Sequence, residues 1–265
     1  MDSNEKLKTA LNKELKAVTK AEEKMRRHSS GGANPIICKI ESKIPERVDI
    51  ALQSAFTKAF EIVFKHGVGI IEKSYSKSEI KEDFEIRNYA VDKKRTRKEL
   101  KRLKRSVTKS NMLNMTITTA EGLGLGALGI GLPDIVIFIG MILKGIYETS
   151  LNYGYPYDSV SEKYLIINMM KASLSQGDEW WSNNEDVDKL LSGGYAVSND
   201  ALKNEIIITS KLFAANMLVT KFIQGLPLIG IAGGVFNPLY YNRIMKYVRL
   251  KYYKRYLLDK LSLTP

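Results

Sequence analysis

The stretch EGLGLGALGIGLPDIVIFIGMILKGIYETSLNYGYPY, residues 121–157, decides how this chain folds. It opens with closely spaced glycines, passes through a Pro-Asp pair and continues as a long apolar run. Its marked positions are Glu121, Gly122, Gly124, Gly126, Gly129, Gly131, Pro133, Asp134, Tyr153 and Gly154. Proline suits the first turn of a helix, and a carboxylate there interacts favourably with the helix dipole. The stretch therefore predicts a glycine-rich junction that leads into a helix over 133–152.

The sequence does not decide whether this junction is surrounded by protein or by lipid. Residues 122–143 are long enough to cross about 30 Å of hydrocarbon, but a membrane span would have to hold the charge of Asp134 in lipid. The same residues can form a hairpin in the protein core or a hairpin that rests on a membrane. A literal G-x-G-x-x-G match lies within the run, without the strand and second-strand acid of a dinucleotide fold. We expect Glu121 and Asp134 to cap helices rather than to bind a cation.

A second glycine-rich run, GLPLIGIAGGVF at residues 225–236, resembles the junction at residues 121–134. It carries no charge and leads through Asn237-Pro238, an N-cap followed by a first-turn proline, into a segment of tyrosines and bases. The marked positions are Gly230, Gly233, Gly234 and Asn237. The two runs suggest an internal repeat or a pseudo-symmetric pair of hairpins.

Helical periodicity dominates the remainder of the chain. It predicts helices over 4–27, 45–75, from Ser76 or Ser78 onward, and over 160–176, 199–223 and 238–261. The polar residues 177–197 predict an irregular loop with at most a short helix. We expect an all-α fold, a single compact bundle of long helices with two glycine-rich apolar hairpins. Residues 1–35 would form an N-terminal amphipathic helix and loop, and residues 36–265 the main helical domain.

The net charge of +12 favours anionic partners. Two basic segments carry much of it. Their residues are Lys93, Lys94, Arg95, Arg97, Lys98, Lys101, Arg102, Lys104 and Arg105 in the first, and Arg243, Lys246, Arg249, Lys251, Lys254 and Arg255 in the second. Each base near an anionic membrane contributes about 1 kcal/mol. We expect an anionic membrane surface or a membrane protein as the partner, with nucleic acid as the alternative because tyrosines at 240–256 could stack on bases.

Catalytic signals are absent from the sequence. Two histidines and the single Cys38 provide no disulfide framework, no thiolate metal site and no visible nucleophile–base pair. The beginning of the chain lacks the apolar region of a signal peptide. We therefore expect a cytoplasmic, non-enzymatic protein without a cofactor, peripheral on the inner face of the cell membrane. An enzyme that uses only carboxylates such as Glu121 and Asp134 is a second alternative.

These motifs resemble a known family. Glu121-Gly122, the glycine run, Pro133-Asp134 and Tyr153-Gly154-Tyr155 are similar to the signature of the EcsC family of bacterial proteins. The second run, with the tyrosine-rich and basic segment after it, resembles that family's C-terminal signature. The resemblance covers roughly residues 45–260. It implies an all-helical fold and an association with membrane processes, and it transfers no catalytic residue.

Overall fold

The computed structural model describes residues 3–29, 44–113, 133–223 and 238–264, and this part of the chain contains nine helices and no strand. The helices are α1 (Ser3–Ser29), α2 (Glu46–Ile62 and Val68–Glu72, joined by the π-helical turn Val63–Gly67), α3 (Lys77–Lys94), α4 (Arg97–Leu113), α5 (Pro133–Leu151), α6 (Val160–Leu174), α7 (Gly177–Leu191), α8 (Asn199–Ile223) and α9 (Pro238–Ser262). The prediction of an all-α fold is confirmed. Both glycine runs lie outside the described residues.

Helix α5 begins at Pro133, as predicted, and packs against α2, α3, α4 and α9. Its apolar residues are buried on more than one side, including Ile139, Leu143 and Ile146. A helix that is apolar around most of its circumference is stable only inside a protein core or a membrane. Within the described residues, no helix has the length and apolar character that a membrane crossing requires.

The segment after α5 explains the Tyr-Gly pair of the sequence. Gly154 has a φ of +83°, and a side chain at this position would overlap the ring of Phe84. Tyr153 is buried against the rings of Tyr253 and Tyr256, with centroid distances of 6.0 and 6.1 Å. Glycine is therefore required here both for its left-handed backbone and for its small volume.

Helix α7 corrects the prediction of an irregular loop over 177–197. Its inward positions Trp180, Asn184, Val187 and Leu191 are buried and recur at helical spacing. The pattern was hard to recognise because one of these positions is an asparagine, which accepts a hydrogen bond from Tyr247 at 2.9 Å. Trp180 is 2% exposed and its neighbour Trp181 is 42% exposed, so the two indoles have different surroundings.

Helix α1 packs against α9, α4 and α7 through its apolar face, which includes Leu7, Leu11 and Val18. Helix α9 in turn contacts α1, α4, α5, α6 and α7. The bundle therefore brings the first helix and the last helix into direct contact. The predicted boundary between residues 35 and 36 lies outside the described residues.

Candidate functional site: two basic recesses beside the first helix

Three glutamates lie buried around α9: Glu14 and Glu22 on α1 and Glu162 on α6. The hydroxyl of Tyr253 donates to Glu14 at 3.0 Å, and that of Tyr252 donates to Glu162 at 2.7 Å. Buried carboxylates are tolerated when such donors replace their hydration. Tyrosine hydroxyls of α9 therefore form hydrogen bonds inside the bundle and stabilise its buried carboxylates.

The most enclosed charges form a four-residue network. Lys251, whose side chain is fully buried, donates to both Glu22 and Asp188 at 2.6 Å. Lys254 donates to the same two carboxylates, at 3.0 Å to Glu22 and 2.7 Å to Asp188. Burial lowers the pKa of Lys251, while at Lys254 the effect of burial is outweighed by the two carboxylates, which raise its pKa. The network links α1, α7 and α9 without net charge.

The prediction that the basic residues of 243–255 bind an anionic surface needs correction at the C-terminal end of that segment. Arg255 pairs with Glu162 at 2.8 Å and lies over the ring of Tyr155, 4.0 Å from its centroid. Together with Lys251 and Lys254 it is held between helices, because each of these cations is paired with a buried or half-buried carboxylate. The charge of these three residues is neutralised by carboxylates of the bundle.

A first recess lies between α1 and α4 and has a volume of about 420 Å³. It is lined by Glu14, Ala17, Arg97, Lys101, Lys104, Arg105 and Thr108. Arg97 donates to Glu14, and the ammonium of Lys104 lies 5.0 Å from the centroid of the Tyr253 ring. Burial lowers the pKa of Lys104, with the charge of Lys101 acting in the same direction and that of Glu14 against it. We call this the α1–α4 recess.

The exposed cations of α4 follow one face of that helix. Lys98, Lys101 and Arg105 are spaced three and four residues apart and are exposed. Within the described residues, none of these three has a carboxylate within ion-pair distance. In contrast, Lys94 and Arg102 pair with Glu99 at 3.5 and 2.7 Å. The first basic segment thus keeps part of its charge unpaired at the surface.

A second recess lies where α1, the end of α6, the start of α7 and the start of α9 meet, and its volume is about 550 Å³. It is lined by Ala21, Lys24, Met25, Ser173, Gln176, Trp180, Arg243, Lys246 and Tyr247. The guanidinium of Arg243 donates to the carbonyl of Ser175 at 3.0 Å, and burial lowers its pKa. No acidic residue stands among these lining residues. We call this the α1–α9 recess.

The two recesses lie along one edge of α1. Ala17 lines the α1–α4 recess, and Ala21 and Lys24 line the α1–α9 recess. Ala17 and Ala21 are one helical turn apart, about 6 Å along the axis. The exposed Lys13 and Lys20 share this edge by helical spacing. The sequence indicated an amphipathic helix with lysines beside its apolar stripe, but Lys13 and Lys20 were not among the predicted binding residues.

Several predicted site residues lie outside this arrangement. The glycines at 122–131, Glu121, Gly230, Gly233, Gly234 and Asn237, with the side chains of Pro133 and Asp134, are outside the described residues. Arg249 is half-buried near Tyr153 and Tyr241, and burial lowers its pKa. Nowhere in the described ranges do three or more His, Cys, Asp or Glu residues gather as metal ligands would.

Comparison with models of known protein families gives a match over most of the chain. The model of the EcsC protein family matches residues 11–257. No curated protein matches the chain, and no solved structure does. The match spans both recesses, from Glu14 of α1 to Tyr247 of α9, but its description states no activity.

Proposed function

This chain belongs to the EcsC protein family, and we propose that it is a non-enzymatic protein that binds anionic membrane surfaces peripherally, through the basic edge shared by α1 and α4. The observation that carries the proposal is the row Lys98, Lys101 and Arg105, which faces outward beside the α1–α4 recess without carboxylate partners in the described part of the chain. Unpaired surface cations on adjoining helices attract anions from solution.

The magnitude of this attraction supports binding to a surface of many charges. Lys13 and Lys20 on α1 add to the three exposed cations of α4. At about 1 kcal/mol for each base near an anionic membrane, these five positions supply about 5 kcal/mol at moderate ionic strength. Such a contribution holds a protein at a surface reversibly and weakens as salt shortens the Debye length.

In this proposal the glycine-rich runs add apolar contact. Residues 225–236 contain no charged side chain, and between Gly122 and Leu143 the only charge is that of Asp134. Each run directly precedes a core helix, α5 or α9. Apolar segments next to basic patches strengthen membrane association because burial of apolar surface adds to the electrostatic attraction.

The tyrosines of α9 favour a membrane over nucleic acid as the partner. Stacking on bases requires exposed rings. Tyr247, Tyr252, Tyr253 and Tyr256 are buried, and their hydroxyls bond to groups inside the bundle. A base could reach these rings only if the bundle opened.

Flotation with lipid vesicles tests the proposal. We expect the protein to float with vesicles of phosphatidylcholine mixed with phosphatidylserine, and to remain in the soluble fraction with phosphatidylcholine alone. High salt should release it, because the Debye length falls to about 3 Å at 1 M. A protein that stays in the soluble fraction with both kinds of vesicle would disprove the proposal.

A matched pair of variants locates the surface. The combination Lys98→Gln, Lys101→Gln and Arg105→Gln should weaken vesicle binding about 100-fold, at about 1 kcal/mol for each charge. The control removes the same charge elsewhere. It combines Lys58→Gln, Lys81→Gln and Lys211→Gln, three exposed lysines on α2, α3 and α8. Equal losses in the two triple variants would show that net charge, and not this edge, holds the protein on the vesicle.

A further inference from the structure

The α1–α4 recess carries an excess of positive charge. Its lining contains four cations, Arg97, Lys101, Lys104 and Arg105, and one carboxylate, Glu14. We propose that this recess binds the headgroup of a membrane lipid whose phosphate is a monoester, such as phosphatidic acid, with Lys104 as the residue that selects it. The inference rests on the proposed membrane function and names the lipid class that this surface would select.

The carboxylate of the recess is already engaged. Glu14 is buried, forms an ion pair with Arg97 and accepts a hydrogen bond from the hydroxyl of Tyr253 at 3.0 Å. The other three cations of the lining have no carboxylate within ion-pair distance in the described part of the chain. The charge of Glu14 also acts on Lys104 through space, but one carboxylate does not balance four cations. A bound anion would supply the missing negative charge.

Lys104 differs in its surroundings from the exposed cations of α4. Its side chain is half-buried, and its ammonium lies 5.0 Å from the centroid of the Tyr253 ring. Burial lowers the pKa of Lys104 because the ammonium loses hydration. Charges that are partly removed from water are screened less than exposed charges. An anion that enters the recess would therefore interact more strongly with Lys104 than with a lysine of the exposed row.

The shape of the recess suits a compact group. Lys101, Lys104 and Arg105 are three and four residues apart, so their side chains leave α4 on the same face. The wall formed by α1 includes Ala17, whose short side chain leaves space between the two helices. The volume of about 420 Å³ lies within the range of small-molecule sites, about 300–1,000 Å³. A headgroup that enters between α1 and α4 can therefore reach Lys104.

A phosphomonoester matches this charge better than the phosphodiester of other phospholipids. The monoester carries a charge of about −1.5 to −2 at neutral pH and has three acceptor oxygens. A phosphodiester has a single negative charge and a substituent on each side, so it presents fewer free oxygens. Arginine binds phosphate in a bidentate manner, and lysine binds it as a point charge. The exposed Arg105 and the half-buried Lys104 can therefore contact one phosphate together.

Flotation with two kinds of vesicle tests the selectivity. Phosphatidylcholine is mixed with phosphatidic acid in one and with phosphatidylserine in the other, in proportions that give the same electrophoretic mobility. We expect about tenfold tighter binding to phosphatidic acid, the ratio that one charge-assisted hydrogen bond provides. Equal affinities would overturn this inference and leave the proposed membrane function standing. Binding to neither vesicle would overturn both.

A matched pair of lysine variants on α4 assigns the selectivity to the recess. Lys104→Gln should lower the ratio of the two affinities from about ten to about one, because it removes the charge that only an entering headgroup reaches. Lys98→Gln removes the same charge from the exposed row outside the lining. It should weaken binding to both vesicles equally and keep the ratio. An unchanged ratio in Lys104→Gln, or an equal fall in both variants, would refute the role of Lys104.

A change of volume tests the recess without a change of charge. Ala17→Leu fills space between α1 and α4 and should lower the ratio towards one, while binding to phosphatidylserine persists. This variant also carries the test if Lys104→Gln does not fold, as judged by circular dichroism. A preference of about tenfold that survives in folded Ala17→Leu would show that the headgroup does not enter the recess.

A soluble competitor distinguishes a lipid from a free phosphomonoester. Glycerol 3-phosphate carries the same phosphate group without acyl chains. We expect it to release the protein from phosphatidic acid vesicles no more than sulfate does at equal ionic strength, because the lipid is also held by the bilayer contacts of the exposed row. Stronger competition by glycerol 3-phosphate would assign the recess to a soluble phosphomonoester and overturn the lipid assignment.

Discussion

The two basic segments of this chain are alike in composition and opposite in placement. On α4, Lys98, Lys101 and Arg105 point outward from the edge of the bundle. On the C-terminal half of α9, Lys251 and Lys254 lie between helices in close ion pairs. The difference teaches that a basic sequence predicts anion binding only where the fold brings no carboxylate to it.

The position of each helix in the bundle explains the contrast. Helix α9 is covered by α1, α5, α6 and α7, and the cations of its C-terminal half, Lys251, Lys254 and Arg255, are fully or partly desolvated. Desolvated charges are tolerated only when paired and hydrogen-bonded. Helix α4 lies against α1, α3, α5 and α9 and leaves one face in water. Hydration there replaces the ion pairs that α9 requires.

The largest expected effect is a loss of folding stability on substitution in the C-terminal half of α9. Lys251→Met should lower the free energy of unfolding by about 3–5 kcal/mol, because it leaves Glu22 and Asp188 without their buried partner. Lys101→Met, the same substitution on α4, should change it by no more than about 0.5 kcal/mol. Urea denaturation of the two variants measures the contrast. Similar losses in both would mean that the two segments do not differ as described.

A compensating substitution sharpens the interior side of the comparison. Adding Glu22→Leu to Lys251→Met removes a buried carboxylate that has lost one of its two ammonium partners, and it leaves Lys254 paired with Asp188. We expect the double variant to recover about 1–3 kcal/mol of the unfolding free energy lost in Lys251→Met. The double-mutant cycle by urea denaturation gives the coupling energy. Simple addition of the two single losses would argue against a shared network.

Glu14 contacts both α4 and α9. It is buried in the α1–α4 recess and accepts hydrogen bonds from Arg97 of α4 and from the hydroxyl of Tyr253 of α9. Glu14→Gln should tighten binding to anionic vesicles about fivefold by removing a negative charge from the recess. The same change should cost about 1–2 kcal/mol of stability through weaker hydrogen bonds. Glu85→Gln, on the exposed face of α3, is the control. An equal gain in affinity there would attribute the effect to net charge.

The smallest expected effect concerns the titration of Lys104. Its pKa in the folded protein lies below the ordinary 10.5 because of burial. Charged Lys104 therefore costs stability at neutral pH, and this cost is relieved as pH rises from the folded pKa towards the unfolded value. In ¹³C-methylated protein, its resonance, assigned with Lys104→Arg, should titrate below the ordinary lysine range. Anionic vesicles should move that midpoint upward. A midpoint at the ordinary value, unmoved by vesicles, would contradict the recess environment.

Much of the secondary structure was predictable because its signals are local. Proline marks the beginnings of α5 and α9, and both helices begin at the predicted residues. Ser159 accepts the N–H of Glu162 at 3.1 Å and caps α6 at the beginning of the predicted range 160–176. The predicted range 199–223 matches α8 residue for residue. Each of these signals depends on neighbours within one helical turn.

The charge assignments of α9 were not predictable in the same way. Lys251 finds Glu22 across 229 residues and Asp188 across 63. The sequence around Lys251 does not indicate that the fold brings these carboxylates next to it. Helical periodicity predicts which face of the helix a residue occupies, but it does not predict which other helix packs on that face. The α1–α9 recess was missed for the same reason, because its walls come from four separate helices. The α4 cations were predicted as candidates because surface exposure needs no distant partner.

The contact between α1 and α9 has a consequence for biosynthesis. Glu22 on α1 is made long before Lys251, and Glu14 precedes its donor Tyr253 by 239 residues. While the ribosome is still translating, these carboxylates stay hydrated, and the apolar face of α1 has no α9 to cover it. Closure of the bundle thus waits for the emergence of α9, which is a long-range event of the kind that slows folding. A nascent chain that lacks α9 leaves the apolar face of α1 uncovered in part, and exposed apolar surface of this kind favours aggregation.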